Sequence, residues 1–237
     1  MIISVTERGV FKRCRKLWDY SSTNRQGLAP LKVPTALSLG SMVHRAHEML
    51  LLNEDADKTV DVITMEAVSE KLVELKANYK KAVGVEPHDE ELSSFTDQAV
   101  LTLEMMTNYS ERWEGGLEGF TLIAPEQTVL VPIPGTQHKH ERINDHNTRA
   151  CAEGPDGLFY HQLEGTLDGL LRDEGGRLWI LEHKTFENHP KKEDLDMNDQ
   201  FLAYIWLVEQ LRIGPVAGVL YDGMWKRPRQ GARKERT

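Results

Sequence analysis

Apolar and polar residues alternate in two runs, Leu163 to Arg172 and Arg177 to Thr185, separated by Asp173, Glu174, Gly175 and Gly176. A period of two marks a strand, and an acidic turn ending in two glycines suits a tight connection, so this segment is predicted to be a β-hairpin. A half-buried strand is expected over Glu126 to Ile133, where Thr128, Leu130 and Pro132 alternate against Val129 and Val131. Another is expected over Val216 to Tyr221, after the Gly214-Pro215 break. Helical spacing governs 39 to 53, 60 to 83 and 91 to 113, with Pro87 and acidic residues in a linker, and it returns from Asp199 to Leu211, where Asp196 and Asn198 offer start signals. The pattern predicts an α/β protein: a central mixed sheet flanked by helices, with a helical N-terminal portion. One domain over 1–225 is expected, mainly helical over 1–115 and α/β over 116–225, followed by a basic tail over 226–237.

Two charged residues interrupt the apolar face of the second hairpin strand. Side chains there alternate, so Leu178, Ile180, Glu182 and Lys184 share one face while Trp179, Leu181 and His183 share the other. Burying charges costs several kcal/mol, on the order of a whole side chain's apolar burial, unless they pair or hold a cation. Asp168 lies in the first strand, within reach of Glu182 across a twisted hairpin. Two carboxylates with a neighbouring ammonium form a candidate divalent-metal site; the alternative is an ordinary hairpin with solvated charges at its end. Gln200 and Tyr204 fall on one face of the following helix, readable also as the polar edge of a core helix.

Taken in order, these pieces resemble the PD-(D/E)XK nuclease superfamily, and within it the RecB-like exonuclease branch. The GxxD strand corresponds to Gly165 to Asp168, the (D/E)xK strand to Glu182-His183-Lys184, and the QxxxY helix to Gln200 to Tyr204. The upstream helix with histidine corresponds to Gly40-Ser-Met-Val-His44, and KRCRKLWDY, ending at Tyr20, is similar to the basic, aromatic N-terminal helix of such proteins. The resemblance implies a restriction-endonuclease-like core and a Mg²⁺-dependent (or Mn²⁺-dependent) DNA exonuclease acting at ends in recombination, repair or phage DNA processing. It implies that Asp168, Glu182, Lys184, Gln200 and Tyr204 form the catalytic set. His44, Asp168, Glu182 and the His183 backbone carbonyl would be the metal ligands, and Glu126 is a further candidate that reads equally as a solvent-facing strand residue. Lys184 would position the attacking water or stabilise the developing charge, Gln200 would orient Lys184 or the water, and Tyr204 would support a phosphate or the metal's surroundings. A structure-specific or nicking endonuclease would use the same residues. A catalytically silent DNA-binding subunit and an RNA-directed enzyme are the other readings.

Departures from the pattern narrow this expectation. Leu167 replaces the proline of the superfamily name. Only Cys14 and Cys151 are present, too few for an intrachain Fe–S cluster, and too few for a disulfide framework. No GxxxxGK[ST] motif is present, so no helicase motor is expected within the chain. HRAHE is not the HExxH of zinc peptidases, and His47 competes with His44 as the site histidine. His138, His140 and His146 read as a polar loop between strands, with transition-metal binding as the lesser alternative.

Composition fits one substantial core: 237 residues with 40% hydrophobic content. No run is long and apolar enough for a membrane span and the start lacks a secretory apolar region, so a cytoplasmic protein with no membrane partner is expected. The net charge of −8 seldom accompanies DNA binding, but Arg8, Lys12, Arg13, Arg15 and Lys16 cluster near the start and six basic residues crowd 226–236. Either cluster is a candidate for tracking phosphates, with Trp18, Tyr20 and Trp225 as candidate base-stacking or core residues. The expected partner is DNA, with a homo-oligomer or a recombination protein as further candidates.

Overall fold

A computed structural model of the chain describes residues 1–28, 35–52, 58–112, 117–137, 152–153, 156–188, 190–196 and 198–226. The expected basic tail beyond Lys226, the histidines 138, 140 and 146, and Cys151 lie outside the described residues.

The hairpin forms as predicted, slightly longer. Strand β5 (Gln162–Asp173) and strand β6 (Leu178–Phe186) pair antiparallel from Gly169↔Leu181 to Arg172↔Leu178. Asp173 locks the turn, accepting from the Arg177 backbone N–H at 2.9 Å and from the Trp179 indole at 3.0 Å. Strand β2 (Phe120–Pro132) begins six residues before Glu126 and runs antiparallel along the whole of β5. Strand β7 (Val216–Trp225) lies parallel to β6, from Leu178↔Val216 to Phe186↔Trp225. The N-terminal part is not purely helical, because strand β1 (Ile2–Ser4) pairs parallel with Gln162 to Glu164 of β5. A small separate pairing joins β3 (Ala152–Glu153) and β4 (Phe159–Tyr160).

This topology leaves a gap in one flank of β5. On that flank β1 covers β5 up to Glu164 and β6 covers it from Gly169, so Gly165 to Asp168 have a strand partner only in β2. The four residues of the GxxD segment are those between the two neighbours.

Helices cover both faces. The expected single basic helix is two, α1 (Val5–Arg13) and α2 (Arg15–Ser21), broken where Cys14 takes an extended conformation and its sulfur caps α2 by accepting from the Leu17 N–H. Helix α3 (Thr35–Leu51), helix α4 (Val60–Val83) and helix α5 (Asp89–Arg112) pack together around Met42, Val43, Ala46, Ala67 and Met106, with Met224 of β7 joining them. Short helix α6 (Lys192–Asp196) precedes α7 (Asp199–Gln210), which Asn198 caps by accepting from the Gln200 N–H at 2.9 Å. Tyr204, Leu207 and Val208 of α7 pack on Leu163, Leu167, Leu170, Leu178 and Ile180, the principal core. Burying such side chains contributes roughly 1.5–3 kcal/mol each. No helix among the described residues is long and apolar enough to cross a membrane.

Candidate active site

The gap beside β5 is where the predicted residues meet. Continuing the register beyond Gly169↔Leu181 would set Asp168 opposite Glu182, but the strands splay there. The Asp168 side chain bridges the splay, Oδ2 accepting from the His183 backbone N–H at 2.6 Å. Its other oxygen meets His44 Nδ1 of α3 at 3.1 Å. Burial works to raise the Asp168 carboxyl, yet the His44 bond and charge carry it below its ordinary value. His44 responds in kind: burial works to lower it, and Asp168 holds it above the ordinary imidazole range.

Glu126 enters the same cluster from the opposite strand. Pro125 pairs with Gly169 and Gln127 with Leu167, so Glu126 stands directly across from Asp168. Two carboxylates facing each other across a ladder repel. Glu126 also has a φ of 42°, a left-handed conformation seldom adopted by a non-glycine residue and often found where a site demands it. Burial first, then the Asp168 charge, raises its carboxyl above the ordinary range. His44, Glu126 and Asp168 each offer one donor atom, all within 4.8 Å of one another.

Glu182 completes the acidic lining. It is 1% exposed, and burial raises its carboxyl against the opposing pull of Lys184. Lys184 Nζ lies 2.5 Å from Oε1, and Gln200 Nε2 donates to the same oxygen at 3.2 Å. Oε2 is buried without a hydrogen-bond partner. An unpartnered carboxylate oxygen is costly in a dry interior, and a cation is one way to satisfy it. Gln200 therefore touches Glu182, where the sequence suggested Lys184 or a water. Its Nε2 also donates to the Tyr204 hydroxyl at 2.9 Å, and burial first, with Glu182 second, pushes that phenol up to about 12.

Glycine at 165 makes this proximity possible. A Cβ there would sit 2.5 Å from Leu207 Cδ1 and 3.0 Å from Tyr204 Cε1, so α7 could not approach β5 as closely. Gly40 has no such neighbour: a Cβ would meet nothing within 4 Å.

His183 and His47 form an arrangement that sequence reading missed. The His183 ring, on the face of β6 opposite Glu182, stacks on His47 at 3.9 Å and bonds Asp222 Oδ2 at 2.9 Å through Nδ1. No single motif signals this, since the three residues come from α3, β6 and β7. The basic start of the chain also borders the site, because Arg8 and Lys12 of α1 pair with Asp199 beside Gln200. Trp18 is half-buried and donates to Glu7 at 2.9 Å, while Tyr20 and Trp225 are exposed.

A sheet with a splayed hairpin, an acidic cluster and an adjacent lysine defines the class of metal-dependent nucleases built on the (D/E)xK strand. A family model of the PD-(D/E)XK nuclease superfamily matches residues 2–236, and the chain belongs to that superfamily. No curated protein matches the chain.

Proposed function

We propose that this protein is a Mg²⁺- or Mn²⁺-dependent DNA exonuclease that hydrolyses phosphodiester bonds at DNA ends. The observation that carries the reading is the convergence of His44, Glu126 and Asp168 at the gap beside β5, with the unpartnered Oε2 of Glu182 and the Lys184 ammonium next to it. A donor set of carboxylate oxygens with one imidazole suits a hard or borderline divalent cation, and among the described residues no thiol joins it to favour a softer one. Asp168, Glu126, His44 and Glu182 would hold it together with the His183 carbonyl. When bound there, the cation supplies charge neutralisation and Lewis acidity at the phosphate.

The chain's own residues do the rest. Lys184 donates hydrogen bonds to the attacking water or to a non-bridging phosphate oxygen, countering the charge that builds as water attacks phosphorus. One P–O ester bond breaks as a new P–O bond to water forms, giving a phosphate monoester and a free hydroxyl. Gln200 and Lys184 hold Glu182 through Oε1, leaving Oε2 without a partner, and Tyr204 holds Gln200 in turn. The basic faces of α1 and α2 supply phosphate contacts beside the site. The choice of ends over internal bonds rests on the resemblance to the RecB-like branch.

The test is degradation of end-labelled linear DNA beside covalently closed circular DNA, with Mg²⁺ or Mn²⁺, for the intact protein, Asp168→Ala and Lys184→Ala. Loss of linear DNA alone, abolished by both substitutions, is expected. Cleavage of the closed circle would shift the reading to an endonuclease, and metal-independent or mutation-insensitive cleavage would refute the site.

A further inference from the structure

The catalytic strand carries a second buried cluster on its other face, and the proposed chemistry makes no use of its side chains. His47 and His183 are 2% and 3% exposed, and each has an Nε2 without a hydrogen-bond partner. Asp222 stands beside His183 in the β6–β7 register, accepts from its Nδ1–H at 2.9 Å and accepts from the Tyr109 hydroxyl of α5 as well. Tyr109 packs edge-on against His47, with ring centroids 4.4 Å apart.

Three donor atoms of His47, His183 and Asp222 within 4.8 Å of one another invite a second metal. The ring geometry opposes it. The two imidazole planes are inclined by only 21° with centroids 3.9 Å apart. Imidazole lone pairs lie in the ring plane, and planes so arranged meet about 10 Å away, far outside the ~2.1 Å reach of a metal–nitrogen bond. Asp222 is already occupied by two donors.

The connections lead to the active site through the backbone. The His183 peptide N–H is the donor that Asp168 Oδ2 accepts, and Glu182 and Lys184 flank that residue. His47 lies one turn beyond His44 on α3, so the helix that brings His44 to Asp168 is keyed to β6 by the His47–His183 stack. Two polar rings with unpartnered nitrogens are a poor choice for packing alone, because phenyl rings would fill the space without the desolvation cost.

We propose that His47, His183 and Asp222 are positioning residues. Asp222 and His47 clamp the His183 ring from two sides and thereby fix the 182–184 backbone and His44 relative to Asp168. The inference rests on the metal-site reading above. Residues that orient a metal's ligands without touching the metal commonly change its affinity by about 10- to 100-fold.

The experiment measures Mn²⁺ affinity, by the electron paramagnetic resonance signal of free Mn²⁺, alongside kcat and KM on linear DNA, using the full chain. Asp222→Ala is expected to weaken Mn²⁺ binding about 10- to 100-fold and to lower kcat, with KM for DNA unchanged. Asp222→Asn retains an acceptor oxygen for His183 and is expected to restore most of both. Should Asp222→Ala fail to fold, His183→Phe keeps a ring on His47 but lacks the Nδ1 donor, and the same losses are expected. Wild-type Mn²⁺ affinity and kcat in folded Asp222→Ala or His183→Phe would overturn this inference alone. An unmodified protein that neither binds Mn²⁺ nor cleaves DNA would overturn the metal-site reading and this inference with it.

Discussion

Replacing Gly165 by alanine tests whether the approach of α7 to β5 is as tight as the geometry demands. The new Cβ would lie 2.5 Å from Leu207 Cδ1 and 3.0 and 3.1 Å from two atoms of the Tyr204 ring, all inside ordinary carbon–carbon contact distance. Leu207 is fully buried and Tyr204 nearly so, which leaves neither side chain free space to swing into. Overpacking of a filled core costs about 1–3 kcal/mol. The entropy lost to the unfolded chain when glycine is replaced returns about 0.4–1 kcal/mol, so a net destabilisation of about 1–2 kcal/mol is expected. In a domain of this size that lowers Tm by roughly 2–4 °C per kcal/mol. Guanidinium titration of Gly165→Ala, Leu207→Ala and the double variant measures it. Leu207→Ala alone is expected to cost about 2–5 kcal/mol. Because it removes the atom that clashes, the double variant is expected to cost less than the two singles together by about 1 kcal/mol or more, the size of coupling seen between touching residues. Gly165→Ala with unchanged stability, or strict additivity, would refute the close-packing explanation of the GxxD glycine.

Three further outcomes follow from the site. Glu126→Gln removes one of two facing carboxylates, so without metal it is expected to stabilise the protein by about 0.2–1 kcal/mol while weakening Mn²⁺ binding; melts in chelator and a Mn²⁺ titration read the two effects, and equal Mn²⁺ affinity would exclude Glu126 as a ligand. In the metal-free His47→Phe variant, stability is expected to fall as pH rises from 5 to 8: raised His44 contributes stability that is complete below its unfolded value and lost as pH climbs through its folded one, and raised Glu126 and Glu182 act in the same direction because the folded state binds the extra protons, whereas in the intact protein buried His47, held well below its ordinary value, works the other way. Thermal melts in chelator, repeated with Mn²⁺, should show that decline shrinking when metal is present; a flat metal-free profile would contradict it. Arg15 and Lys16 are exposed and have no carboxylate partner among the described residues, so the double alanine variant is expected to flatten the salt dependence of DNA binding by up to about 0.9 per lost phosphate contact on a log–log plot, and an unchanged slope would place the DNA elsewhere.

Local chemistry explains what could be read from the sequence. The hairpin was legible because its alternation and its Asp173–Gly176 turn are both short-range signals, and α7 because Asn198 caps it just ahead of an apolar run. Strand β1 was not, since three residues of Ile, Ile and Ser are too few to show a period and its pairing with β5 joins residues far apart in the chain. The break between α1 and α2 was hidden because cysteine is an unusual cap. Asp168, Glu182 and Lys184 stand out in one segment, whereas the pairing of Glu126 with Asp168 depends on the β2–β5 register and on a left-handed residue that nothing in the local sequence announces. The His47–His183–Asp222 cluster depends on three elements packing together. Even for Gln200, which the QxxxY pattern picks out, the contact with Glu182 is set by how α7 packs on the sheet and not by the local sequence.

The most direct measurement is an anomalous difference map from crystals soaked in Mn²⁺. The account predicts the strongest peak among His44, Glu126, Asp168 and Glu182, within about 2.0–2.3 Å of their donor atoms, and its loss in Asp168→Ala. A principal peak beside His47 and Asp222, or no peak at Mn²⁺ concentrations that support cleavage, would contradict it.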